Sequence, residues 1–220
     1  MRKSKTRLPL GFTFTETMGG FLAPGTEDYR HGQARGRRAG TDLRFTLAVT
    51  VDDLDRFLAD PEHPATLTGS VEGQWAGGTV AIEPGQFNLF ARDARGRRQM
   101  RYRFAFTGAE GRTYLLQGFK DVHNDYVLDA WKDTTTLFTT LHHADEAGEP
   151  VAARGVLTIR ALDLVPQVRS MRGVHARGPL GHLRALARFN LFFSGEMLRE
   201  YTPGLGRAAR PGKGQAKGSG

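Results

Sequence analysis

Apolar and polar residues alternate along most of the first 160 positions, and this period of two predicts a β protein. Met100, Tyr102, Phe104 and Phe106 fall on one side of an extended stretch, with Arg101, Arg103 and Ala105 on the other, as in a half-buried strand. Arg112 to Lys120 follows a Gly-containing turn and reads as its hairpin partner. Leu43, Phe45, Leu47, Val49 and Val51 alternate without a break, and Thr66 to Trp75 places Leu67, Gly69, Val71, Gly73 and Trp75 on one face. Shorter strands are predicted at Phe12–Glu16, Thr79–Ile82, Gln86–Phe90, Thr134–Leu141 and Ala153–Ala161. Gly77-Gly78, Pro84-Gly85 and Glu146 to Pro150 supply turns, and Arg92 to Arg98 a charged hairpin tip. Gly19 to Gly40, with six Gly, reads as a long loop.

About eight strands joined by short connections, with no long helix between them, argue against a parallel βαβ sheet. The fold expected is mainly β: an antiparallel up-and-down barrel, lipocalin- or calycin-like, with a two-sheet sandwich as the alternative. Asp52 to Leu58 predicts a short helix with acidic residues in its first turn, ended by Pro61 and Pro64.

From Pro179 the period changes. Leu183, Leu186, Ala187, Asn190, Phe193, Met197 and Tyr201 recur at helical spacing with Arg184, Arg188 and Arg199 on the flanks, predicting one amphipathic helix over residues 179–202. Three settings are open to it: packed on or near the barrel, docked on a partner, or laid on a membrane surface through Phe189, Phe192 and Phe193. The chain therefore divides into a disordered basic arm (1–10), a β-barrel domain (11–165), the helix (179–202) and a disordered low-complexity tail (203–220).

Charge refines this division. Residues 1–40 carry eight Lys/Arg against three Asp/Glu, and residues 166–220 ten against two, while the body between them holds thirteen against eighteen. The ends are basic and the body acidic. Basic ends attract nucleic acid, anionic lipid or an acidic partner, or stay solvated. Nucleic acid is disfavoured, because the aromatic residues are committed to strand faces. The absence of cysteine removes disulfides, thiolate metal sites and cysteine nucleophiles. No apolar run has the length of a membrane span, and the basic N-terminus lacks the apolar region of a signal peptide. A cytoplasmic protein, membrane-peripheral if its helix binds lipid, is expected.

Candidate chemistry is sparse. Gly204-Leu205-Gly206-Arg207-Ala208-Ala209 fits the spacing of a dinucleotide loop, but it follows a helix where a strand is required. His142 and His143, beside Asp145 and Glu146, would point to opposite faces of a strand and cannot share one ion without distortion. No G-x-S-x-G elbow is present, no carboxylate pair has a spacing that implies acid–base work, and no cofactor or metal is expected. The run Asp129 to Thr136, with Trp131 and Asp133, suits either the capping of a strand start or a pocket mouth.

Gly85-Gln86-Phe87-Asn88-Leu89-Phe90, Met100-Arg101-Tyr102, Gly118-Phe119-Lys120 and Trp131-Lys132-Asp133-Thr134-Thr135-Thr136-Leu137 form an ordered string. Together with Glu16 to Phe21 and Val51 to Phe57, it resembles a non-flavin, β-rich segment of long bacterial cholesterol-oxidase-like chains of the glucose–methanol–choline oxidoreductase group, over residues 12–200. Flavin-binding and hydrolase parts have no counterpart here, so the resemblance implies no catalytic residue. It implies the company of lipid or sterol chemistry. The expectation is a non-catalytic barrel that binds a lipid or sterol beside a separate oxidoreductase or hydrolase, with Trp75, Phe87, Tyr102, Phe119 and Trp131 lining or closing a cavity on the order of 300 Å3. The alternatives are a small enzyme for a hydrophobic substrate, with Asp133, Lys120 and His123 meeting at the barrel mouth, and an interaction module that uses the C-terminal helix.

Overall fold

The computed structural model describes residues 8–122, 135–144, 148, 150–159, 169–176 and 178–201. Ten strands follow in chain order: β1 (Gly11–Ala23), β2 (Asp42–Val51), β3 (Pro64–Glu72), β4 (Val80–Ala81), β5 (Gly85–Arg92), β6 (Arg98–Thr107), β7 (Thr113–Asp121), β8 (Thr136–His143), β9 (Val151–Thr158) and β10 (Arg172–Val174). Helices α1 (Tyr29–Ala39), α2 (Leu54–Ala59) and α3 (Gly178–Tyr201), with a 3-10 turn at Ala109–Gly111, complete the described elements.

Each long strand pairs antiparallel with the next, in the order β1-β2-β3-β5-β6-β7-β8-β9, and β9 returns to β1. Gly19 to Ala23 of β1 take Thr158 to Arg154 of β9 as partners. This seam closes an eight-stranded barrel and excludes the two-sheet sandwich, because no long strand is left as an edge. The two short strands are extras: β4 pairs with β3, and β10 with Gly11–Thr13 of β1.

The alternation seen in the sequence is the alternation of the wall. Leu43, Phe45, Leu47, Val49 and Val51 all point inward and are 5% exposed or less. Phe104, Phe106, Leu67, Leu116, Leu137, Leu141 and Leu157 face them from the other strands, and side chains fill this part of the interior.

Three elements depart from the sequence reading. β1 runs to Ala23, well past Glu16, and the predicted loop of residues 19–40 contains helix α1. Asp28 caps α1 by accepting a hydrogen bond from the His31 N–H, and left-handed Gly40 ends it. Its glycines are contact points: a Cβ on Gly32 would lie 2.2 Å from the Arg154 carbonyl oxygen, and one on Gly36 2.5 Å from that of Leu22. The absent side chains let α1 lie directly against β1 and β9. The third departure is β10, three residues long and too short for a periodicity to reveal.

The two ends of the barrel are closed differently. At one, the turn after β3 folds inward, burying Ala76 and setting Trp75 edge-on to Tyr114 at 5.8 Å. At the other, α3 lies across the opening. Ala185 and Phe189 are its buried residues, with Leu186, Phe192 and Phe193 partly buried against the core. Leu183, Ala187 and Asn190, which the helical spacing grouped with the apolar stripe, face outward. The packed face keeps Leu186 and Phe193 of the predicted stripe and is turned from the rest of it, because Ala185, Phe189 and Phe192 occupy the contact. No described helix is long and apolar enough to cross a membrane.

Candidate functional site

Strand parity decides which polar groups enter the barrel. On β1, Glu16 shares its face with Phe12, Phe14 and Met18. On β7, Lys120 shares its face with Leu116 and Gly118, and on β6 Tyr102 shares its face with Phe104 and Phe106. β6 and β7 stand across the lumen from β1 in the strand order, so the three side chains converge from opposite walls. Lys120 Nζ donates to Glu16 Oε1 at 2.5 Å, and the Tyr102 hydroxyl donates to Glu16 Oε2 at 2.6 Å. The ammonium also sits 5.1 Å from the centroid of the Tyr102 ring, a cation–π contact. All three residues are 2% exposed or less.

The cluster has an apolar frame. Phe87 meets the Tyr102 ring edge-on at 4.9 Å, and Phe45 lies 6.2 Å from it. Burial, then the charge of Glu16 and the hydrogen bond to it, push the Tyr102 phenol well above its usual range. The phenol stays a proton donor. The Lys120 ammonium has three protons and donates one to Glu16. Among the described residues, no other hydrogen-bond acceptor for it is found.

The cluster lies on the α3 side of the barrel. Lys120 pairs with Met100 near the end of β7, and Glu16 is two inward positions beyond Phe12. Phe189 of α3 stacks on Phe12 at 4.0 Å and 16°. Phe192 packs against Phe57, His63 and Phe90, and Phe193 against Phe90. The β5 irregularity between Asn88 and Ala91 holds Phe90 at φ +57°, re-aiming its ring toward the helix. Two ion pairs fix α3 at its edges: Arg98 to Glu196, and Arg188 to Asp55 at 2.6 Å.

Of the residues proposed from sequence, Phe87, Tyr102 and Lys120 are inside the barrel and near one another. Trp75 is at the opposite end, closing it. Phe119 has the parity opposite to that of Lys120, so it lies on the outer wall, packed on Phe138 and Tyr29 of α1, where it lines an outer cleft of about 350 Å3. Trp131, Asp133 and His123 lie outside the described residues, so the meeting of Asp133, Lys120 and His123 is not visible. In the sequence Glu16 reads only as the end of a strand. Its signal was a carboxylate on the same parity as Phe12 and Phe14.

Among the clefts lined by described residues, three have walls formed mostly by outward-facing side chains. The largest, about 900 Å3, runs between α1 and the turn after β3, past Gln33, Arg37, Arg44 and Glu72. The other two, about 350 and 320 Å3, lie over β5–β8 and beside α2. His142 and His143 sit at the end of β8, with the His143 ring against Tyr114. No group of three or more candidate metal ligands is found among the described residues.

Fold and site define a closed up-and-down barrel with a Glu–Lys–Tyr cluster beneath a helical cap. Comparisons with protein-family models, with curated proteins and with solved structures find no match to this chain.

Proposed function

We propose that the chain is a non-catalytic binding protein for a hydrophobic molecule with one polar group, a lipid or sterol, received at the α3 end of the barrel. The observation that carries this reading is the Glu16–Lys120–Tyr102 cluster. A buried ion pair is weak support for stability, because well-packed apolar residues of similar volume commonly do as well or better. Its place among phenylalanines suits another task. The remaining ammonium protons can meet a ligand hydroxyl, carbonyl or carboxylate, and the phenol oxygen can accept from a ligand hydroxyl, while Phe12, Phe90 and Met100 offer apolar surface around it.

The buried residues around the cluster are close-packed rings and aliphatic side chains, so a ligand there must pack against them or displace some of them. The α3 end is the natural route, since the cluster lies on that side and the described contacts of α3 there are packed rings and ion pairs. The resemblance to a segment of cholesterol-oxidase-like chains supports the sterol or lipid class and an accessory role beside a separate oxidoreductase or hydrolase.

Native mass spectrometry of the purified protein, with extraction of any retained molecule, tests the reading. A stoichiometric lipid or sterol, displaced or weakened in Tyr102→Phe, is expected. A clean apo mass that a panel of sterols and fatty acids leaves unchanged would overturn it. A second reading, a small enzyme for a hydrophobic substrate, uses the same buried lysine and phenol as proton-handling groups. It predicts that an added ligand is recovered chemically altered, whereas a carrier returns it intact.

A further inference from the structure

The aromatic face of α3 is spent on the barrel, and the opposite face is open. Leu180, Leu183 and Leu191 are 81%, 63% and 75% exposed. With Ala187 they form a stripe at helical spacing along the outside of α3. The contacts of the inner face run from β10 and β1, past α2, to β5 and β6, so the helix lies flat across the barrel end with this stripe outermost. A fourth exposed leucine, Leu8 at 63%, precedes β1 at the same end, where the Leu10 carbonyl accepts the Leu54 N–H of α2. Of the five large apolar residues exposed among the described residues, only Val151 lies elsewhere.

Positive charge gathers where the leucines are. Arg184 is exposed beside the stripe, and Arg188 lies on its flank. Residues 1–7, with four Lys/Arg and no acid, join the chain at Leu8, and residues 202–220, with four more and no acid, follow α3. Acidic groups also lie at this end: Asp55 is paired with Arg188, Glu196 with Arg98, and Asp53 caps its own helix, while Asp52 and Glu62 are exposed beside α2. A flat helix with leucines outward and basic residues beside them is the arrangement of an interfacial helix on anionic lipid.

We propose that the α3 end docks on an anionic membrane surface through Leu180, Leu183 and Leu191, with Arg184 against the headgroups. The proposal is independent of whether the barrel holds a ligand. It also reverses the sequence expectation, which gave the membrane Phe189, Phe192 and Phe193.

Flotation with the full chain tests it, using vesicles of phosphatidylcholine alone and of phosphatidylcholine with about one quarter phosphatidylglycerol, at low and high salt. Binding to the anionic vesicles only, weakened by salt and reduced at least ten-fold in Leu183→Asp/Leu191→Asp, is expected. Both positions are exposed, so circular dichroism should show the variant folded. Three results would overturn the proposal. One is no binding to anionic vesicles. Another is binding that the leucine substitutions leave unchanged, which would assign it to the basic ends alone. The third is a dimer in light scattering that the substitutions dissociate, which would make the stripe an interface between copies.

Discussion

The two ends of the barrel solve one problem in different ways. At the Trp75 end, the closing residues belong to the turn that links β3 to β4, so their placement follows from strands they are already part of. At the α3 end, the plug comes from a helix that begins twenty residues after β9 and is held by stacked rings and two ion pairs. A closure made by neighbouring chain opens only with the barrel, whereas one made by a docked element can open by itself. The polar cluster lies nearer the separable end, which is why both functional proposals are placed there.

The largest effect should come from splitting the cluster. Glu16→Leu or Lys120→Met alone should cost about 3–5 kcal/mol, because each leaves a charge buried without its partner. Replacing both, with Tyr102→Phe to remove the stranded hydroxyl, should restore most of that loss in urea denaturation. Additive losses would mean that the three groups act separately.

Next comes a direct test of the asymmetry. Phe189→Ala removes the ring stacked on Phe12 and should lower the opening free energy of α3 by about 3 kcal/mol. Hydrogen exchange should show this in the α3 amides, with the barrel strands changed by less than about 1 kcal/mol. Trp75→Ala should cost about 2 kcal/mol, less because the ring is only half-buried, and the loss should spread over all strands together. If both variants loosened the whole barrel equally, the distinction between the ends would be lost.

A smaller effect depends on pH. The Tyr102 phenol is raised in the folded chain, so above a pH of about 10 the unfolded chain releases this proton first. Stability contributed by this group is complete below that pH and falls as pH rises through the folded value. Wild type should therefore lose more stability than Tyr102→Phe between about pH 9 and 11. Equal slopes would show that the folded phenol is not raised. Smallest of all, Leu183→Asp/Leu191→Asp should shift folding stability by no more than about 0.5 kcal/mol per site, so its effect on vesicle binding can be read apart from folding.

The β2 and β6 strands were legible because each buries one face, and burying one face forces apolar residues onto every second position. Residues 29–39 were not, because the glycines that let α1 press on the strands are the same residues that mark loops. The face of α3 was misjudged for a related reason. Leucines and phenylalanines surround most of the helix, and periodicity alone does not say which of two apolar faces has a partner.

By itself, the sequence determined the long strands, the meander of short connections, the C-terminal helix and the shared face of Met100, Tyr102, Phe104 and Phe106. Those are local matters, set by side-chain alternation and turn residues. Tertiary structure decided that the meander closes from β9 onto β1, that the rings of α3 face the barrel and its leucines face outward, and that Glu16 meets Lys120 and Tyr102. Residues 16 and 120 lie on strands far apart in the chain, and only closure of the wall sets them 2.5 Å apart across the lumen.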